Sequence, residues 1–233
     1  MIKYASNSFL ALKISYINEI ANLCETLGAD IHDVASAMGQ DGRISEKFLH
    51  PGPGFGGSCF PKDLEALLSI SHNYNMKMET VESAIMANKK QKKRMVEKLV
   101  RLFDGEDIKK KKIAVLGLAF KANTDDVRES PSISMINSIL SMGGFVNAYD
   151  PIANNEMSKI IRNVNYFDNL YDAVINVDAV VIMTEWNEFR SLDLKKIKSK
   201  MSGDIFLDTR NIISMEELSS LNFVYDNVGR IKK

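Results

Sequence analysis

The sequence has little of several features that would each point to a particular class of protein. Its 233 residues include two cysteines, Cys24 and Cys59, and three scattered histidines, so neither a disulfide framework nor a zinc ligand set is expected. Lys and Arg number 30, as do Asp and Glu, which argues against a general binder of nucleic acid or acidic membranes. No apolar run approaches the ~20 residues of a membrane helix. Because the N-terminus also lacks an export signal, the sequence predicts a cytoplasmic protein.

The first part of the chain has the periodicity of helices. Apolar residues recur at steps of three and four, Gly28 and Gly39 are placed to end two helices, and Pro61 is placed to begin another. The predicted helices are 9–27, 30–38, 61–74 and 78–103. A charged linker follows, so residues 1–103 are predicted to form an all-helical domain.

The second part alternates between short strands and helices. The predicted strands are 113–118, 145–149, 164–167, 179–183, 205–207 and 223–225, and the predicted helices are 132–142, 169–176 and 216–221. Such alternation implies a parallel sheet with right-handed crossovers. The predicted fold class is therefore α/β, with the helical domain followed by a doubly wound, Rossmann-like domain over residues 110–233.

A loop rich in glycine and proline precedes the third predicted helix and ends in a cysteine. Four of the 13 glycines and three of the five prolines lie between residues 51 and 61. Cys59 lies at the N-terminus of the predicted helix, where unpaired N–H groups favour a thiolate, and Lys62 adds positive charge. Asp63 follows four residues later and could act as a base for a water molecule. A lone cysteine is often an inert buried residue, which is the interpretation for Cys24, but these surroundings favour a nucleophile at Cys59.

A second group of polar residues lies at the N-terminus. Lys3 and Asn7 are spaced i, i+4, so both project from one helical face. An ammonium beside an amide donor could hold an oxyanion or take the proton of an alcohol. On spacing alone, a solvated lysine at a helix start is the alternative.

The predicted α/β domain lacks the dinucleotide fingerprint. Its first strand ends at Gly117, but no G-x-G-x-x-G follows, and Asp150 comes 33 residues later rather than the ~20 of that fingerprint. Candidate ligands nevertheless follow several strands: Lys121, Arg128, Asp150, Glu185, Trp186 and Arg210. Doubly wound sheets bind ligands at these strand ends, and the cations suit a diphosphate, although each residue taken singly could be surface charge.

Several long motifs resemble one enzyme family. They are residues 3–20, Arg43-Ile44, residues 48–63, residues 116–121 and residues 125–131. They resemble the UDP-glucose 6-dehydrogenases of the UDP-glucose/GDP-mannose dehydrogenase family over essentially the whole chain. The resemblance implies oxidation of the sugar 6-hydroxyl to a carboxylate by two hydride transfers to NAD.

The resemblance also implies roles for individual residues. Cys59 would form a thiohemiacetal and then a thioester, Lys3 and Asn7 would handle the alcohol proton and the oxyanion, and Asp63 would serve the water step. Contacts with the UDP-sugar are implied for Arg43 (lent across a homodimer), Phe48, Leu49, His50, Gly52, Gly54, Phe55, Gly56, Phe120, Lys121 and Arg210. Contacts with NAD are implied for residues 59–62, including Lys62, and for Arg128. Position 50 is His where some relatives carry Lys.

One departure from the family pattern shapes the expected function. The family carries an N-terminal NAD-binding Rossmann domain, whereas this sequence starts near the lysine of the catalytic set. The chain is therefore expected to be a C-terminal portion that does not turn over alone. A non-catalytic sugar-nucleotide-binding or dimerisation module, and a relative acting on another UDP- or GDP-sugar, are the alternatives.

Overall fold

The computed structural model describes residues 1–105 and 107–231, which form two compact units. The first contains residues 1–92 and the C-terminal segment that begins at Val228, and the second contains Lys93–Asn227. The boundary between the units lies within one long helix, and the chain returns to the first unit after its last strand.

Four helices build the first unit, and all four were predicted. They are α1 (Ile2–Leu27), α2 (Ile31–Gly39), α3 (Phe60–Asn73) and α4 (Glu79–Leu102), the last of which continues into the second unit. Gly28 ends α1 in the left-handed conformation, with φ at 71°, and its N–H donates to the carbonyl of Cys24. The carboxylate of Asp30 caps α2 by accepting from the N–H of His32 at 2.8 Å.

The C-terminal segment packs on the first two helices. The N–H of Gly229 donates to Glu25 Oε1 at 2.9 Å, and the carbonyl of Gly229 accepts from the N–H of Ile31 at 2.8 Å. With φ at 73°, Gly229 also sits where a Cβ would approach Ala21 Cβ to 2.6 Å. Only glycine therefore fits this crossing over α1 and α2.

The second unit is built on a six-stranded parallel sheet. Its strands are β1 (Lys112–Leu116), β2 (Phe145–Tyr149), β3 (Asn165–Tyr166), β4 (Ala179–Ile182), β5 (Ile205–Asp208) and β6 (Val224–Asp226). They lie in the order β3-β2-β1-β4-β5-β6, which is the doubly wound order with a switch point between β1 and β4. The predicted fold class is confirmed.

Short helices connect these strands. They are α5 (Pro131–Ser141), α6 (Asn154–Ile160), α7 (Leu170–Ala173), α8 (Asn187–Arg190), α9 (Leu194–Lys200) and α10 (Met215–Ser220). The predictions matched α5, α7 and α10 but missed the other three, whose few apolar residues carry little periodicity. The core includes Leu116, Ile182, Phe189, Ile197 and Phe206, all fully buried. Within the described residues, the helices are all too short or too polar to cross a membrane.

Candidate active site

Three polar side chains come together near the N-terminal ends of α1 and α3. The side chain of Asp63 is fully buried, and its Oδ2 accepts a hydrogen bond from Asn7 Nδ2 at 2.5 Å and lies 3.4 Å from Lys3 Nζ. The hydrogen bond from Asn7, supported by the positive charge of Lys3, holds the pKa of the Asp63 carboxyl below its ordinary value, although burial acts in the opposite direction. Asp63 Oδ1 is buried and has no hydrogen-bond partner among the described residues. One carboxylate oxygen is thus held in place, while the other is a buried acceptor that no described residue satisfies.

We expect Asp63→Asn to remove part of the acid sensitivity of the fold. Because the folded-state pKa of Asp63 lies below its unfolded value of about 3.9, the ionised carboxylate stabilises the fold above that pH and loses its effect as the pH falls. Thermal unfolding measured between about pH 7 and pH 3 should therefore show a smaller loss of Tm in the variant than in the wild type. Glu65→Gln, on the exposed face of the same helix, is the control. Parallel curves for wild type and Asp63→Asn would contradict the assignment.

The two cysteines occupy opposite environments. Cys59 is exposed and directly precedes α3, with its Sγ 3.9 Å from Ser58 Oγ and its carbonyl accepting from the N–H of Asp63 at 2.9 Å. The thiol therefore stands one helical turn before the buried carboxylate. Cys24 is buried in α1, and burial raises the pKa of its thiol. An accessible thiol one helical turn before a fixed carboxylate suits Cys59 to nucleophilic chemistry.

The glycine loop that leads to Cys59 is buried from residue 51 to residue 57. The N–H of Gly52 donates to Asn18 Oδ1 at 2.8 Å, and the carbonyl of Gly52 accepts from Gln91 Nε2 at 2.8 Å. Asn88 makes a similar pair of bonds to the main chain of Phe55. These carboxamides were missed in the sequence, although each lies on the buried face of a predicted helix. Their role follows from burial, because an irregular buried loop needs side chains to satisfy its main chain.

Aromatic rings connect the loop to the start of α3. The ring of Phe60 lies 6.0 Å from that of Phe48 and 5.9 Å from that of Phe55, the latter edge-on. Leu49 is buried and His50 is exposed, and Gly54 and Gly56 lie within the buried loop. Of the predicted UDP-sugar contacts in this unit, the side chains of Arg43, Phe48 and His50 are accessible, whereas most of the loop is covered.

Arg43 lies on the surface rather than in a cleft of its own unit. Its side chain is 90% exposed and makes a bidentate ion pair with Asp41, and these hydrogen bonds lower the pKa of the Asp41 carboxyl. The neighbouring turn is held by Lys13, whose ammonium donates to three main-chain carbonyls between residues 44 and 47. An exposed, oriented guanidinium of this kind is placed to reach another molecule.

In the second unit, Arg210 spans the switch point of the sheet. Its Nε donates to the carbonyl of Met183 at 2.8 Å, one terminal nitrogen donates to the carbonyl of Phe120 at 3.2 Å, and the other lies 3.1 Å from Glu185 Oε2. Burial lowers the pKa of its guanidinium, which the charge of Glu185 partly offsets. Lys121 is exposed, with its Nζ 5.4 Å from the Phe120 ring centre. Three of the predicted ligands, Phe120, Lys121 and Arg210, are therefore brought together at this end of the sheet.

Asp150 serves the fold rather than a ligand. Its Oδ2 accepts from the N–H groups of Leu118 and Ala119 and from Trp186 Nε1, at 2.7, 3.1 and 3.0 Å. Its Oδ1 accepts from two main-chain N–H groups that follow β2. The sequence suggested a ligand at this position, but both oxygens are engaged in joining the turns after β1, β2 and β4.

Lys62 and Arg128, two of the residues predicted to contact NAD, are surface cations. Lys62 is exposed in the first turn of α3. Arg128 makes a bidentate ion pair with Asp126, with N···O distances of 2.9 and 2.8 Å. The turn after β1 lacks the glycine fingerprint, and the carboxylate after β2, where a ribose would be bound, is occupied by main-chain donors.

Two family profiles match the chain. The central domain of the UDP-glucose/GDP-mannose dehydrogenase family matches residues 1–90, and the UDP binding domain of the same family matches residues 114–215.

Individual relatives agree with these profiles. UDP-glucose 6-dehydrogenase from Rhizobium meliloti (strain 1021) is 46% identical over 230 residues, covering 99% of this chain and 52% of the relative. The structure of a UDP-glucose dehydrogenase from Pyrobaculum islandicum is 33% identical with a TM-score of 0.87, covering 98% of this chain and 50% of that one. An NDP-N-acetyl-D-galactosaminuronic acid dehydrogenase from Methanosarcina mazei Go1 is 28% identical with a TM-score of 0.89, covering 99% and 50%. The chain spans about half the length of the curated relatives it matches.

Proposed function

Because the chain belongs to the UDP-glucose/GDP-mannose dehydrogenase family, we propose that it supplies the cysteine and the UDP-binding domain of a UDP-glucose 6-dehydrogenase. The enzyme would oxidise UDP-glucose to UDP-glucuronate, and NAD would accept both hydrides. The observation that carries this proposal is the exposed thiol of Cys59, one helical turn before the buried carboxylate of Asp63 that Asn7 and Lys3 hold.

The proposed chemistry gives each of these side chains a separate role. The sulfur of Cys59 would bond to C6 of the sugar aldehyde, whose oxygen would take a proton to give a thiohemiacetal. Lys3 Nζ and Asn7 Nδ2 are the donors that would hold this oxygen as its charge develops. After oxidation to the thioester, water would add to the carbonyl carbon and the carbon–sulfur bond would break, returning the thiolate and releasing the carboxylate. The buried Oδ1 of Asp63, which has no partner among the described residues, is the acceptor proposed for that water.

The dinucleotide is proposed to bind to polypeptide outside this chain. Lys62 and Arg128 are surface cations that would contact it from this chain. The chain matches about half of its relatives, so the remaining half is the proposed source of the NAD site. On this proposal the chain binds the sugar nucleotide without turning it over.

A homodimer through the first unit is also proposed. On α1, the exposed apolar residues Ile2, Phe9, Tyr16 and Leu23 recur every seven positions, which forms one stripe along the helix. Exposed apolar surface of this kind is typical of a protein–protein contact. Arg43, exposed on the same unit, is the residue that would be lent to the partner.

Calorimetric titration of the purified chain tests the proposal. We expect UDP-glucose to bind, NAD to bind at least about 100-fold more weakly, and Arg210→Met to weaken UDP-glucose binding about tenfold, since the guanidinium is the buried cation at the switch point. Arg190→Met, an exposed arginine on α8, is the matched control and should leave the affinity unchanged. Tighter binding of GDP-mannose or of a UDP-N-acetylhexosamine would transfer the proposal to another nucleotide sugar. No binding of any nucleotide sugar would contradict it.

A further inference from the structure

Seven consecutive residues of the glycine loop are buried without forming a helix or a strand. Their main-chain groups cannot reach water, and an unpaired buried N–H or C=O is costly. Gly52 is satisfied on both sides by Asn18 and Gln91, as described above. Gln91 cannot turn its amide around without losing a second bond, because its Oε1 accepts from Asn22 Nδ2 at 3.0 Å. The amide groups therefore fix the loop in one orientation.

Asn88 is the second residue that anchors the loop, and both of its hydrogen bonds go to the main chain of one residue, Phe55. Its Oδ1 accepts from the N–H of Phe55 at 2.8 Å while its Nδ2 donates to the carbonyl of Phe55 at 3.0 Å. The carboxamide thus makes the pair of main-chain hydrogen bonds that a neighbouring β-strand would otherwise make. Gly54 permits this approach: its φ is 106°, and a Cβ there would lie 2.7 Å from Asn88 Oδ1.

A chain of contacts leads from Asn88 to the reactive thiol. Asn88 holds the main chain of Phe55, the ring of Phe55 packs edge-on against Phe60, and Phe60 is the first residue of α3, directly after Cys59. We infer that Asn88 is a positioning residue: by fixing Phe55 it holds the start of α3 and sets the position of the Cys59 thiol. This inference rests on the proposed function of Cys59.

The variant Asn88→Asp tests this inference with a change of one atom. The ionised carboxylate can still accept from the N–H of Phe55, but it repels the carbonyl to which Asn88 Nδ2 donates. A buried carboxyl facing a carbonyl has a raised pKa, and its neutral form can donate again. The hydrogen bond from the side chain at position 88 to the carbonyl of Phe55 should therefore be absent at about pH 8 and restored at about pH 5.

The first readout is alkylation of Cys59 by iodoacetamide in the purified chain. At about pH 8 we expect Asn88→Asp to slow it about threefold relative to wild type, because the thiol is already exposed and loses mainly its alignment with the helix terminus. At about pH 5 the ratio of the two rates should return towards one. The second readout is the Kd for UDP-glucose, expected to rise about tenfold at the higher pH and to recover at the lower one.

A matched control separates positioning from loss of stability. Asn147 is as buried as Asn88, at 7% exposure, and donates to the carbonyl of Ala173 in the second unit, so Asn147→Asp makes the same chemical change elsewhere. It should lower Tm by a similar amount and leave the alkylation rate of Cys59 unchanged.

Failure of this inference can be distinguished from failure of the proposed function. The alkylation readout needs no nucleotide sugar, so a wild-type chain that binds none would contradict the proposed function while leaving the positioning test intact. Equal alkylation ratios for Asn88→Asp and Asn147→Asp, or no recovery at low pH, would overturn the inference. If Asn88→Asp does not fold, Asn88→Ser, which removes the donor to the carbonyl of Phe55, is judged by its alkylation rate against that of Asn147→Ser.

Discussion

Replacing Cys59 by serine should reduce formation of the sugar carboxylate by about 10³-fold or more and leave the Kd for UDP-glucose within about threefold. The reason is that the covalent half of the proposed cycle passes through the sulfur, whereas the substitution leaves the other predicted UDP-sugar contacts unchanged. Serine keeps the shape of the side chain but is a much weaker nucleophile without a base to activate it. The measurement is made on this chain joined to the N-terminal half of a relative, with UDP-glucuronate quantified by chromatography.

The second cysteine offers a matched control. Cys24 is buried in α1, away from solvent, so Cys24→Ala should lower Tm modestly and leave turnover unchanged. The two variants together distinguish a chemical role of one thiol from a general sensitivity to loss of cysteine. Carboxylate formed at near wild-type rate by Cys59→Ser would overturn the proposed nucleophile.

The fold could be predicted from the sequence because its signals are local. Gly28, Asp30 and Pro61 each mark a helix end by conformational or capping preferences that need no distant partner. The buried strands are short apolar runs, and their alternation with helices was enough to specify a parallel sheet. Helix α9 was missed because its seven residues include four lysines, although Asp193 caps it by accepting from the N–H of Lys196.

The supports of the candidate site were harder to predict because they are not local. Asp150 Oδ2 is held by donors that lie 31 to 36 residues away in sequence, so nothing near it indicates that this oxygen is occupied. A signal for Asn88 and Gln91 was present, since both continue the stripe formed by Val81, Ala84 and Met95 along α4. Polar residues on the apolar face of a helix indicate a buried partner, but the sequence does not say which one.

The same stripe places a lysine inside the second unit. Lys98, on α4, is 2% exposed, and its ammonium lies 3.0 Å from Asp226 Oδ2 at the end of β6. Removing one member of a buried ion pair leaves the other charge in a poorly solvated position, which is much more costly than losing an exposed pair. We therefore expect Lys98→Met, which keeps the aliphatic bulk, to lower the free energy of unfolding by about 3 kcal/mol. Urea unfolding followed through Trp186, the single tryptophan, reports on this unit.

Two further variants show whether the charge pair itself is responsible. Adding Asp226→Asn to Lys98→Met removes the remaining charge and should recover most of the lost stability, because a neutral pair needs no counter-ion. Lys93→Met removes a lysine from the same helix, where the side chain is 80% exposed and lies 3.7 Å from Glu97, and should cost less than about 0.5 kcal/mol. If Lys98→Met and Lys93→Met cost the same, or if the double variant is no more stable than Lys98→Met, the ion pair does not fasten α4 to the edge of the sheet.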